Sequence, residues 1–218
     1  MTAGLNKVTV LTSCTGLKVD TSGPVPAEEL YAGQHHRRLM RGVRALRDAG
    51  TIVDVWIVSA AHGIVHGRKP LLPYERTFQG LPAAQRRRIA HELEIPQDAA
   101  RVLTEATDLA VVALGDDYLD ACGLQTNTHP AGPAILLCSS SAALRVPPLG
   151  DTRVIPLRAQ HTREFQCGFV GLKGEIAGRL LRTLARGQLQ LEDLAAPQLL
   201  LLLGRANEFA TNAASTLF

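Results

Sequence analysis

Short apolar runs alternate with longer amphipathic stretches along most of the chain. Runs of β-branched and aliphatic residues cover positions 8–12, 52–58, 109–114 and 134–138, and positions 153–157 form a weaker fifth run. The runs are nearly continuous in apolar residues, which is typical of strands that are covered on both faces of a sheet. The pattern therefore predicts a buried, mostly parallel sheet of about four to five strands.

The stretches between these runs have the periodicity of helices. One predicted helix begins at Pro26 and ends at Gly50, and a second helical stretch covers residues 82–107, with a break expected at Pro96. The Leu-rich region 171–218 completes a helical C-terminal third that we expect to pack on the sheet. Strands that alternate with helices predict a single α/β domain over residues 1–218, with helices on both faces of the sheet.

Polar residues follow the predicted strands at the points where they end. Cys14 follows the first strand, Ser59 and His62 follow the second, and Asp116 and Tyr118 follow the third. Ligands of such sheets bind outside the carboxyl ends of the strands. We therefore expect these side chains to meet in one polar hollow at one edge of the sheet.

Two of these clusters carry residue types that suit nucleophilic or proton-transfer chemistry. Lys18, four residues after Cys14, could act as a nucleophile or base in a dry cleft and could activate the thiol. Ser59 and His62 could form a hydroxyl–imidazole pair for proton transfer. The alternatives are a solvated loop lysine with an inert thiol, and a serine that closes a turn.

Further residues suit substrate binding. Tyr74 could stack on a base or donate its hydroxyl, and the adjacent Glu75 could act as an acid, a base or an acceptor from a sugar hydroxyl. Asp116 could bind ribose hydroxyls or cap the helix that follows. Lys173 lies near a predicted helix start in a Gly-rich segment, where amides and an ammonium can hold phosphate. Its spacing matches neither a dinucleotide fingerprint nor a P-loop.

Basic residues are concentrated on the first predicted helix. Arg37, Arg41 and Arg44 share one face of it, and such a stripe could contact nucleic-acid phosphates. A solvated basic helix is the commoner case, and the net charge of +3 is too small to decide a partner by itself.

Composition excludes several classes of protein. No apolar run approaches the ~18 residues that cross a bilayer, so no membrane partner is expected. The first residues lack the layout of a signal peptide, so the expected location is cytoplasmic. The four cysteines are scattered and join no Cys/His set, so we expect neither a metal site nor a cofactor.

In their order along the chain, the strand-end motifs resemble those of a largely uncharacterised bacterial and phage family. The resemblance covers roughly residues 7–125, and the motifs that carry it are Cys14-x3-Lys18, Leu30-Tyr31, Ser59-Ala60-Ala61-His62-Gly63, Pro73-Tyr74-Glu75 and Gly115-x-x-Tyr118. That family is distantly similar to the peroxide-stress protein YaaA and to the Cys-x3-Lys domain of archaeosine synthase, which acts on a 7-deazapurine in tRNA.

The resemblance implies a site for a modified or damaged base. The residues it places there are Cys14, Lys18, Tyr31, Ser59, His62, Gly63, Tyr74, Glu75 and Tyr118. Two positions depart from the family pattern: Gly33 stands where a Ser is usual, and Ala61 stands where a Lys is common. A substrate different from that of the relatives would be consistent with this second change.

We therefore expect an enzyme that acts on a nucleotide or a nucleic-acid base, by cleaving the N-glycosidic bond or by exchanging or modifying the base. Glu75 or Asp116 would serve the sugar, with His62 or Lys18 facing the base. One alternative is a non-catalytic nucleic-acid-binding stress protein, and another is a small-molecule enzyme of specialised metabolism. The expected partner is a nucleotide, nucleoside or nucleic acid, and the Leu-rich C-terminal region could also join two copies of the chain.

Overall fold

The structure is a computed structural model that describes residues 5–124 and 128–205. Its strands are β1 (Lys7–Ser13), β2 (Val25–Pro26), β3 (Ile52–Ser59), β4 (Gly63–His66), β5 (Pro70–Leu71), β6 (Leu109–Ala113), β7 (Ala134–Ser139) and β8 (Thr152–Leu157). Six of them form one sheet in the order β4-β3-β1-β6-β7-β8, and β2 and β5 form a small antiparallel ribbon. Within the main sheet only β4 runs antiparallel to its neighbour.

Helices cover this sheet. They are α1 (Ala27–Leu30), α2 (Gln34–Asp48), α3 (Ala83–Glu92), α4 (Ile95–Thr104), α5 (Asp116–Cys122), α6 (Ser140–Ala143), α7 (Gln160–Glu164), α8 (Phe169–Ala185) and α9 (Leu199–Arg205), with a 3-10 helix at Glu192–Ala195. The predicted α/β class, the mostly parallel sheet and the helical C-terminal part are therefore confirmed. The part of that region beyond residue 205 lies outside the described residues.

The strand order fixes where a ligand would bind. The chain passes from β1 to β3 on one side and reaches β6, β7 and β8 on the other, so the direction of winding reverses between β1 and β6. Helices diverge from such a switch point to opposite faces of the sheet, which leaves a crevice at the carboxyl ends of the two strands. Here those ends are Ser13 and Ala113.

The sheet has six strands rather than the four to five that the sequence predicts. The additional strand, β4, has only four residues and follows β3 after a turn of three residues. In the sequence it is therefore difficult to distinguish from the end of β3. Ser59 closes that turn by accepting hydrogen bonds from the amides of Ala61 and His62. Gly63 continues the chain with φ +70°, and a Cβ there would lie 2.8 Å from the carbonyl oxygen of Leu93.

The first predicted helix is two helices rather than one. Between α1 and α2 the chain is extended at Tyr31, which forms an isolated β-bridge with Lys18. The amide of Gly33 donates to the hydroxyl of Thr15 at 3.1 Å, and a Cβ at Gly33 would meet that side chain at 2.7 Å. The loop after β1 therefore holds the chain out of helical geometry at this point.

Helices α2 and α8 pack parallel to each other and unusually closely, on one face of the sheet. A Cβ at Gly42 would lie 2.5 Å from the carbonyl oxygen of Gly178, and one at Gly174 would overlap the backbone of His35. Only residues without a side chain permit this approach. The register places the N-termini of both helices at the switch-point end of the sheet.

Strand β8 forms one edge of the sheet, and two of its residues protect that edge. Pro156 has no N–H to offer to a further strand. Arg153 donates to the carbonyl oxygens of Leu194 and Ala196, which fastens the 3-10 segment beside the edge. Among the helices of residues 5–124 and 128–205, none has the length and apolar character to cross a membrane.

We expect Gly174→Ala to destabilise the fold by about 1–3 kcal/mol, because the added methyl group must force α2 and α8 apart. Gly204→Ala in α9 is the matched control, since a Cβ there meets no atom within 4 Å and a helical alanine is intrinsically favoured. Chemical denaturation would measure both free energies of unfolding. Equal effects of the two substitutions would contradict the close-packing account.

Candidate active site

A cleft opens at the switch point between β1 and β6. Its volume is about 360 Å³, within the range of small-molecule sites. The loops after β1, β6 and β7 and the N-termini of α2 and α8 supply its walls. Its chemically relevant lining residues are Cys14, His35, Thr77, Asp116, Asp117, Tyr118, Ser139 and Lys173, with Phe169 and Val170 at the rim.

A thiol and a phenol, one following β1 and the other following β6, form a hydrogen-bonded pair. The sulfur of Cys14 lies 3.1 Å from the hydroxyl oxygen of Tyr118, and Thr77 contacts the same phenol at 3.2 Å. Both Cys14 and Tyr118 are buried. Burial is the main cause that raises the pKa of Tyr118, and electrostatic interaction with Cys14 raises it further. The phenol therefore keeps its proton and remains a hydrogen-bond donor at neutral pH.

A second group of hydroxyls lies behind this pair. The hydroxyl of Tyr74 is 2.7 Å from that of Tyr31 and 2.7 Å from that of Ser59. Because Ser59 already accepts two amide hydrogens, its own proton is left to donate to Tyr74. Burial is the main cause that raises the pKa of Tyr31 to about 12, and it also raises the pKa of Tyr74.

Lys18 and His62 both contact the ring of Tyr74. The ammonium of Lys18 lies 4.5 Å from the ring centre, and the imidazole of His62 meets the ring edge-on at 4.8 Å. Desolvation, and then the charge of Lys69, lower the pKa of His62, which favours the neutral imidazole. The expected convergence of these three residues is therefore present in the fold.

An ion pair also lines the cleft. The ammonium of Lys173 lies 2.9 Å from a carboxylate oxygen of Asp116 and donates to the carbonyl oxygen of Leu114 at 2.7 Å. Ser139 donates to the other carboxylate oxygen. Burial alone would raise the pKa of Asp116, but the hydrogen bond from Ser139 and the charge of Lys173 outweigh it, and the pKa lies below its usual value.

Several lining residues, among them His35, Thr77, Ser139 and Phe169, were not predicted as site residues. His35 is buried against the cleft, and its Nε2 lies 2.9 Å from the hydroxyl of Thr12. Burial, with smaller effects from His36 and Lys173, lowers the pKa of His35 to about 3, so the ring is neutral. Its pairing with Thr12 depends on the contact between α2 and β1, which the sequence pattern does not reveal.

Other predicted residues lie outside the cleft. Glu75 is exposed, and no hydrogen bond or ion pair of its side chain occurs within the described part of the chain. Arg37, Arg41 and Arg44 lie exposed on the outer side of α2. The expected single hollow is thus two neighbouring groups, the cleft and the hydroxyls around Tyr74, and neither Lys18 nor His62 lines the cleft. Cys14 lies near all three tyrosines, Tyr31, Tyr74 and Tyr118, which we call the tyrosine cluster. No group of three or more metal-ligating side chains occurs in residues 5–124 and 128–205.

The comparisons with known proteins identify a family. Residues 9–134 match a family of unknown function, DUF6884. The chain belongs to DUF6884. No curated protein and no solved structure matches the chain. The similarity to YaaA and to archaeosine synthase therefore stays a prediction.

The DUF6884 segment contains most of the site but not all of it. It includes Cys14, the tyrosine cluster and Asp116, whereas Ser139 and Lys173 follow it in the sequence. The two groups that hold Asp116 ionised thus come from outside the matched segment.

The tyrosine cluster contains all three tyrosines of the chain, so an ultraviolet titration of tyrosinate reports on it alone. We expect Tyr31 to ionise near pH 12 in the folded protein, with the unfolded chain titrating near about pH 10. The folded state then binds more protons than the unfolded state above about pH 10. The free energy of unfolding is therefore unchanged below about pH 10. It falls as the pH rises towards about 12, and Tyr31 accounts for up to about 3 kcal/mol of this loss.

Tyr31→Phe should remove this share of the pH dependence, with folding followed by circular dichroism at each pH. Ionisation of all three phenols near pH 10 in protein that is still folded would show that the cluster is not buried as described.

Proposed function

We propose that this protein is an enzyme that acts on a nucleotide or a nucleic-acid base, by cleaving the N-glycosidic bond or by exchanging or modifying the base. The observation that carries the proposal is the composition of the switch-point cleft. An ionised carboxylate, Asp116, lines the same cleft of about 360 Å³ as a thiol, a protonated phenol and a half-exposed aromatic ring, Phe169.

Asp116 is the residue we assign to the sugar. Ser139 and Lys173 keep its carboxylate ionised at neutral pH, and an ionised carboxylate accepts ribose hydroxyls or stabilises the positive charge that develops as a glycosidic bond breaks. Glu75, the other carboxylate considered for this role, is exposed and lines no part of the cleft. The cleft therefore favours Asp116.

Tyr118, in the same helix as Asp116, suits the base. The Cys14 thiol and the Thr77 hydroxyl can both donate to its phenol oxygen, and its raised pKa keeps its own proton, which is then free to be donated to a ring nitrogen or carbonyl of a departing base. Phe169 is about half exposed at the rim and offers a surface on which a base can stack. We assign Tyr74 to positioning, since Ser59 and Tyr31 already engage its hydroxyl.

A ligand panel with activity assays tests the proposal. Nucleosides or nucleotides should raise the melting temperature, whereas sugar phosphates without a base should not. With an active substrate, Asp116→Asn should lower kcat by about a hundredfold or more, because the sugar loses its charged partner. Glu75→Gln should leave kcat nearly unchanged, and circular dichroism would check that both variants fold. Equal activity of the two variants would refute the role of Asp116.

A second candidate function, nucleic-acid binding without catalysis, is favoured by the exposed positions of Arg37, Arg41 and Arg44. It predicts that Asp116→Asn and Tyr118→Phe keep full affinity for oligonucleotides, and that no base is released or altered by the wild-type protein. Chromatographic analysis of the nucleoside content before and after incubation distinguishes this function from the enzymatic one.

A further inference from the structure

The outer side of α2 and the end of α8 carry a set of arginines that the cleft does not use. We define the arginine surface as Arg37, Arg41 and Arg44 of α2 with Arg186 of α8. All four are exposed. In the portion of the chain that the structure describes, no carboxylate lies within ion-pair distance of any of them.

The layer beneath this surface is also positively charged. Glu175 is bound by Arg38 and Arg179 at 2.7 Å each, and Arg182 lies 3.6 Å from the same carboxylate. One carboxylate thus faces three guanidinium groups. Burial chiefly lowers the pKa of Arg182, the charge of Glu175 raises it, and the charges of Arg179, Arg41 and Arg186 lower it, so Arg41 and Arg186 act electrostatically on Arg182. The positive charges of these arginines repel one another, and a bound anion would reduce this repulsion.

The arginine surface begins at the end of α2 that reaches the cleft. His35 lines the cleft from the first turn of α2, and Arg37 lies in the same turn about 200° further round the helix, on its outer side. From Arg37 to Arg44 the helix rises about 10 Å, which corresponds to about three phosphate spacings along one strand of a duplex. A strand that lies along the outer side of α2 would therefore reach the end of the helix within about one helix diameter, ~10–12 Å, of the cleft.

We propose that the arginine surface binds the phosphodiester backbone of a polynucleotide, so that the base entering the cleft is part of a strand rather than a free nucleotide. This inference rests on the function proposed above. Guanidinium groups bind phosphate oxygens in a bidentate manner, and unpaired ones supply the salt-dependent share of nucleic-acid affinity.

A membrane fits this surface less well than a nucleic acid. Peripheral membrane helices insert large apolar side chains between their basic residues. In α2 the large apolar residues, Leu39, Met40, Val43 and Leu46, are all buried against the rest of the fold. The exposed side of the helix therefore offers charge without an apolar surface.

The test compares two triple variants that lose the same charge. The first is Arg37→Gln, Arg41→Gln and Arg44→Gln, and the control is Arg87→Gln, Arg88→Gln and Arg163→Gln on α3 and α7. Fluorescence anisotropy would measure the binding of labelled single-stranded DNA and RNA, each of mixed sequence, over a range of salt concentrations. Circular dichroism and thermal melting would confirm that both variants fold.

For the α2 variant we expect roughly tenfold weaker binding at moderate salt and a decrease of about 2 in the slope of log K against log salt concentration, as three lost phosphate contacts require. The control should bind like the wild type. The better of the DNA and RNA arms identifies the type of strand. Equal affinity of the two variants, or equally tight wild-type binding to polyglutamate or to anionic vesicles, would overturn the proposal.

Activity assays separate this inference from the proposed function. If the α2 variant processes free nucleosides like the wild type but oligonucleotides poorly, both proposals are supported. Arginine-dependent binding without any base chemistry would refute the enzymatic function and leave the binding surface standing. Base chemistry that is equal in the two variants on oligonucleotides would refute the binding surface and leave the enzymatic function standing.

Discussion

The close approach of α2 and α8 is the constraint on which the rest of the site depends. Glycines at the contact let the two backbones meet where any side chain would hold them apart. This contact brings His35 at the start of one helix and Lys173 at the start of the other to the same cleft. It also brings Arg41 within electrostatic reach of Arg182 at the end of α8. The cleft and the arginine surface therefore both depend on one packing requirement.

The chemistry of the site is divided between neutral and charged groups. On one side, burial keeps the phenols of the tyrosine cluster protonated, so that region supplies hydrogen-bond donors without charge. On the other side, Lys173 and Ser139 hold Asp116 in its ionised form. Cys14 lies between the two: it is hydrogen-bonded to the phenol of Tyr118 and is close enough to Tyr31 and Tyr74 to act on them electrostatically. Such a division suits a substrate with one polar, uncharged end and one end that gains positive charge.

Much of the fold and part of the site follow from the sequence. Continuous apolar runs are a direct consequence of strands that are buried on both faces, so all the long strands could be predicted. Motifs at the ends of parallel strands must share one edge of the sheet, so Cys14 and Tyr118 could be expected together, whereas Tyr74 was placed with Lys18 and His62 only by the family resemblance. Strand β4 was not predicted, because a strand of four residues that follows a tight turn is too short to show a hydrophobic periodicity.

The remaining parts of the site depend on contacts between distant positions. Lys173 and Asp116 are separated by 57 positions, and their pairing follows only once α8 has packed against α2. Glu75 follows Tyr74 directly in sequence but is exposed, whereas Tyr74 is engaged by Ser59 and Tyr31. The sequence motif therefore indicates that this segment lies near Ser59 and Tyr31, but it does not show which of its side chains makes the contact.

The two ends of the main sheet limit how copies of the chain could assemble. Pro156 and the segment fastened by Arg153 obstruct β8, and the opposite edge offers only the short β4. Continuation of the sheet from one molecule into another, the commonest route to strand-mediated aggregation, is thus blocked at its longer border. A dimer joined by strand pairing of the main sheet would have to use the short β4.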